Sequence, residues 1–138
     1  MQNLQMNDAN VQHLVTVNYQ RMMAFEQAAF NTTDEALRAF YEARADESEA
    51  NLKELCGALQ VNEETLCNAQ LCNHTIKNIQ GKKNEGNILS FIISFEKTVN
   101  NWYKKAIAEI KSLPGEIAAI LTKQQQAMGL SQSALHQL

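Results

Sequence analysis

The sequence predicts an all-α protein, a single domain of four long helices over residues 1–138, and three observations carry that expectation. One Pro and five Gly among 138 residues leave too few breakers for the tight turns of an all-β fold. Hydrophobic residues make up 45% and charged residues 20%, enough apolar material for one continuous core and too much for a disordered chain. Apolar residues also recur at three- and four-residue steps through most of the chain.

The first helix is expected over about 8–31, started by Asn7 or Asp8, with Val11, Leu14, Val15, Met22, Phe25 and Ala29 forming a stripe that continues to Phe30. Thr32 followed by Glu35 reads as a capping box, so a second helix is expected over about 33–59, antiparallel to the first. Leu37, Phe40, Tyr41, Leu52, Leu55 and Leu59 mark its buried side. Residues 60–86 read as a long crossover, with a short helix capped by Asn62 and an exposed turn from Gly81 to Gly86. The third helix, about 87–112, carries Ile88, Ile92, Phe95, Val99, Trp102, Ala106, Ile110 and Leu113; Trp102 is expected in the core with Tyr103 at its rim. Pro114 stops it and opens the fourth helix, about 114–137, marked by Ile117, Ile120, Leu121, Met128 and Leu135. Rods of about 25 residues are about 37 Å long, matched well enough to share one core.

Two antiparallel helix hairpins joined by one long crossover describe a four-helix bundle with ferritin-like connectivity. The chain resembles the ferritin-like superfamily, and in particular small bacterial domains of unknown function that lack an intact di-iron site. The resemblance runs through Ala39-Phe40-Tyr41-Glu42, Leu52-Lys53-Glu54-Leu55, Glu96, Trp102-Tyr103-Lys104-Lys105-Ala106, Leu113-Pro114 and Ala134-Leu135-His136-Gln137-Leu138. These are helix patterns of low specificity spread over nearly the whole chain.

Metal-binding members of that superfamily place a Glu on each of two helices and a Glu-x-x-His on each of the other two. The candidates here are Glu26, Glu47 and Glu96, but Ala50 stands where a His would follow Glu47, and Gln124 to Met128 offers neither acid nor imidazole. Counting from the helix ends offsets Glu26 from Glu47 by about 12 Å along the bundle, against about 3.5–4 Å between the ions of a two-metal site. No cofactor is expected. A rearranged iron or manganese site on the three glutamates, in an oxidoreductase, is the alternative to solvated helix faces.

The second helix has no large apolar residue between Tyr41 and Leu52, so its buried stripe passes through Arg44, Ser48 or Asn51. Asn18 and Gln124 fall at similar depth on the first and fourth helices. A polar layer at mid-bundle is therefore expected, read either as an altered ligand or small-molecule site or as a hydrogen-bonded layer that fixes register; the structural reading is favoured.

A net charge of −3 gives no basic footprint for nucleic acid. The apolar run Ile88 to Phe95 is far short of a membrane span. The N-terminus carries no secretory signal pattern, so a cytoplasmic location is the default expectation. Cys56, Cys67 and Cys72 are odd in number and read as reduced thiols; with His74, the last two lack the second ligand pair of a zinc site. His13 and His136 lie near opposite ends of the proposed bundle. Neither a Gly-x4-Gly-Lys phosphate loop nor a Gly-x-Ser-x-Gly elbow occurs. Leu89, Phe91 and Ile93 widen the apolar face of the third helix, which the crossover or a symmetric dimer would cover. The sequence thus leads to a non-catalytic helical bundle acting through helix-face contacts, a homo-oligomer whose protein partner it does not name.

Overall fold

A computed structural model describes residues 2–60, 85–109 and 115–137, with side chains described from Val11 in the first helix and from Gly86 in the third. Four helices and no strand occur among the described residues: α1 (Gln2–Asn31), α2 (Glu35–Leu59), α3 (Glu85–Glu109) and α4 (Gly115–His136). The expectations placed on residues 61–84 and 110–114, among them Cys67, Cys72, His74 and the role of Pro114, lie outside the described residues.

The helix starts differ from those expected. Helix α1 begins at Gln2, because residues 2–7 contain no Gly or Pro to stop it, and Asn7 and Asp8 lie inside it. Helix α2 begins at Glu35 and its cap is Asp34, whose carboxylate accepts from the Leu37 amide at 3.0 Å. Thr32 accepts from the Asp34 amide at 3.2 Å, and Asp34 rather than Thr32 stands at the N-cap of α2. Arg38 reaches back to donate to the carbonyls of Ala29 and Thr32, satisfying the end of α1. Phe30, at the expected end of the α1 stripe, is 83% exposed. Helix α3 begins at Glu85, two residues early and within the expected turn.

Helix α1 packs against α2 and α3, and α4 packs against α2 and α3. Residue pairing gives the directions. Asn18 meets Asn51 and Tyr103, Arg21 meets Glu47 and Glu96, and Phe25 meets Tyr41, so α2 and α3 run opposite to α1. Tyr103 meets Gln124 and Glu96 meets Ser131, so α4 runs with α1. Helix α2 therefore ends at the end of the bundle opposite to where α3 begins.

The core has two apolar parts. One gathers Val11, Leu14, Val15, Leu52, Leu55, Val99, Ile117, Leu121 and Met128; the other gathers Ala24, Phe25, Ala28, Tyr41, Ala45, Ile88, Ile92 and Leu135. Burial of these side chains is the main favourable term in folding. Polar side chains from all four helices lie where the two parts meet.

Candidate functional site

Each helix delivers its polar residues to the centre on its own buried stripe. In α1, Val11, Leu14, Asn18, Arg21, Phe25 and Ala28 follow alternating three- and four-residue steps, and all are buried. The matching rows are Tyr41, Ala45, Ser48, Leu52 and Leu55 in α2, Ile88, Ile92, Glu96, Val99, Tyr103 and Ala106 in α3, and Ile117, Leu121, Gln124, Met128, Ser131 and Leu135 in α4. The apolar run never breaks its period; polar residues are substituted into it at two adjacent depths.

An ionic layer is centred on Arg21, whose side chain is fully buried. Its Nε donates to Glu96 Oε1 at 2.6 Å and its Nη2 to Glu96 Oε2 at 2.8 Å, a two-pronged pair between α1 and α3. Its Nη1 donates to Glu47 Oε1 at 2.8 Å and to Ser48 Oγ at 2.9 Å, tying in α2. Ser131 of α4 donates to Glu96 Oε2 at 3.1 Å. The guanidinium lies 5.1 Å from the centroid of the Phe25 ring. Arg44 closes the chain toward solvent by donating to Glu47 Oε2 at 3.2 Å, with its own guanidinium 5.4 Å from the Phe40 ring. Two guanidiniums thus face two carboxylates. Burial alone would lower the Arg21 pKa, but the adjacent Glu96 and then Glu47 carboxylates outweigh it and hold it above its ordinary value.

A neutral layer lies one turn away. Asn18 Nδ2 donates to the Tyr103 hydroxyl at 2.6 Å and the hydroxyl donates to Gln124 Oε1 at 2.6 Å. Asn51 Nδ2 donates to Asn18 Oδ1 at 3.3 Å, and Gln124 Nε2 donates to the Asn51 carbonyl and to Glu54 Oε1. Lys123 completes the edge on Glu54 Oε2 at 2.7 Å and, with Gln124, draws the Glu54 pKa down. Burial pushes the Tyr103 phenol well above its usual range. Arg21 and Tyr103 both keep their protons at neutral pH, which disfavours a general-base role for either.

Asn18, Ser48, Asn51 and Gln124 all enter these layers, and Arg44 borders them with its Nε lacking a hydrogen-bond partner. Sequence reasoning missed Arg21, Tyr103 and Ser131. Tyr103 is buried and Trp102 only partly so, the reverse of the expected placement; Trp102 packs edge-on to His13 with centroids 5.0 Å apart. The signal for Arg21 and Tyr103 was the unbroken period, which includes them where their polarity argued against it.

The three candidate metal ligands do not form a set. Glu26 is exposed on α1, where partial burial, then Glu49 and Asp46, raises its pKa. Glu47 and Glu96 do converge, but on a guanidinium: every one of their four carboxylate oxygens accepts from an arginine. A ferritin-type metal pair requires those oxygens for itself, so the donor set does not fit one. Among the described residues, no three His, Cys, Asp or Glu side chains gather as metal ligands. Cavities of about 440 Å³ beside Glu26, Phe30 and Arg38, about 500 Å³ beside Ile93, Lys97 and His136, and about 100 Å³ beside His13 and Trp102 include no residue of the polar layers. No described helix is long and apolar enough to cross a membrane.

The geometry defines a class, a four-helix bundle with a polar centre. Comparison with protein-family models, with curated proteins and with solved structures finds no match to the chain in any of the three.

Proposed function

We propose that this chain is a non-catalytic bundle of ferritin-like connectivity that acts through its outer helix faces, self-association included. The observation that supports this reading is the seating of Arg21 between Glu47 and Glu96 at 2.6–2.8 Å. The carboxylates that a metal-dependent oxidoreductase would use are neutralised by the chain itself, and the buried centre serves as a register lock. The up-down-down-up helix directions support the two-hairpin, single-crossover connectivity. Function then falls to the surface, where exposed Phe30 and Leu130 are apolar groups available for contact.

Elemental analysis of chelator-free protein, combined with light scattering on a sizing column, tests the proposal. A species without transition metal and larger than one chain supports it. Stoichiometric iron or manganese overturns it in favour of the metal-dependent alternative, and a strict monomer overturns the self-association.

A further inference from the structure

We propose that the groove between the first half of α3 and the end of α4 binds a small phosphate monoester carrying an apolar group. This goes beyond the reading above and needs neither the polar centre nor self-association. The cavity there holds about 500 Å³, a volume suited to a small ligand. Ser90, Ile93, Ser94 and Lys97 line it as one row of α3, and Gln132 and His136, one turn apart, line it from α4.

Two independent observations point to an anion. Every polar side chain on the lining can donate a hydrogen bond and none is a carboxylate, in a chain of net charge −3. Lys97 forms no ion pair among the described residues, whereas Lys53 and Lys123 are paired with Glu49 and Glu54. The second observation is a chain of amides that ends at the cavity. Gln125 Nε2 donates to Asn100 Oδ1 at 3.0 Å, and Asn100 Nδ2 donates to Gln132 Oε1 at 3.2 Å. Asn100 is buried, so the Gln132 oxygen is held from the inside. The Gln132 amide nitrogen is left without a partner among the described residues, a donor at the groove.

The donors are an ammonium, an imidazole, an amide and two hydroxyls, each on its own side chain. Such a set lacks the planar fork of an arginine that matches a carboxylate, and a phosphate offers it more charge and more acceptor oxygens. Half-buried Ile93 is the apolar wall for the body of the ligand.

Titration of the isotope-labelled full chain with phenyl phosphate, followed by two-dimensional NMR, tests this, with inorganic phosphate and benzoate as comparison probes. Saturable shifts are expected at the amides of residues 90–97 and 132–136, with phenyl phosphate binding more tightly than either comparison probe. Lys97→Gln and Gln132→Ala are each expected to weaken binding about tenfold, and Lys53→Gln, on α2, to leave it unchanged. Lys97 is exposed, so its replacement leaves the core intact. Absence of saturable shifts up to about 10 mM phenyl phosphate overturns the proposal. So does an equal loss in Lys53→Gln, or shifts spread over lysines across the surface, because either marks general charge attraction. Benzoate binding as tightly as phenyl phosphate overturns the choice of phosphate, and inorganic phosphate binding as tightly overturns the contact with Ile93.

Discussion

Arg21 and Glu96, 75 residues apart in sequence, meet fork to fork at 2.6 and 2.8 Å in the centre of the bundle, with both side chains all but inaccessible to solvent. A two-pronged pair fixes more than a distance. It sets the rotation of α1 and α3 about their axes and their relative height, because a one-turn slip of about 5.4 Å would leave both charges unpaired in an apolar core.

The asymmetry of such pairs gives the first prediction. Glu96→Ala leaves the Arg21 charge with Glu47 alone, and the expected loss is about 3–5 kcal/mol in urea unfolding. Replacing Arg21, Glu47 and Glu96 together by apolar residues of similar volume is expected to cost much less than the single change, or to stabilise the bundle. Equal losses in the two variants would show that the pair contributes by packing rather than by charge.

The neutral layer gives the second. Tyr103→Phe removes one hydroxyl that both accepts from Asn18 and donates to Gln124, leaving two buried amide groups short of a partner. The expected cost is about 1–3 kcal/mol with the fold retained. Asn18→Ala made in the Tyr103→Phe background should then cost less than in wild type, which a double-mutant cycle measures.

The helices were legible because a three/four period needs only apolar spacing, and the depth of the polar layer was legible from the gap between Tyr41 and Leu52. Arg21 was not, because Met22 beside it offered an apolar residue for the same turn and is only partly buried. Glu96 was weighed only as a metal ligand, since its partner on α1 had not been placed in the core. Tyr103 and Trp102 are neighbours whose ranking by size alone favours Trp. What decides between them is whether a hydrogen-bond partner lies inside, and that depends on three other helices. The many Asn and Gln, 27 in the chain, have a partial account in interhelical amide pairs such as Asn100 with Gln132 and Gln125.

That exchange of neighbours gives a third prediction. Tyr103→Ala should cost about 3–5 kcal/mol, as a large buried aromatic does. Trp102→Ala should cost clearly less, because Trp102 lies at the margin of the core against His13. Chemical unfolding of the two variants side by side decides the order, and a larger loss at Trp102 would place α3 in a different rotation.

His13 gives a pH dependence. Burial, followed by Lys105, lowers its pKa below 6.5, so the unfolded chain takes up the proton at higher pH than the folded one. Stability should therefore be constant above the ordinary histidine pKa, fall as pH drops from about 6.5 through the folded value, and level off below it. His13→Gln should remove that slope from a series of urea midpoints across mildly acidic pH.

Glu26 has the opposite sign. Partial burial, and then the Glu49 and Asp46 carboxylates on α2, raise its pKa above 4.5. The folded chain thus holds the proton more tightly than the unfolded one, and the associated stability is present below the ordinary carboxylate range and lost as pH rises through the folded value. At neutral pH the ionised Glu26 opposes folding. Glu26→Gln removes that charge while keeping the shape, so it should raise the urea midpoint at neutral pH and leave it nearly unchanged well below the carboxylate range. Salt should shrink the gain, since the side chain is exposed and screened. A lower midpoint at neutral pH would mean that Glu26 is held by a favourable contact, for which Arg38, lining the same cavity, is a cationic candidate.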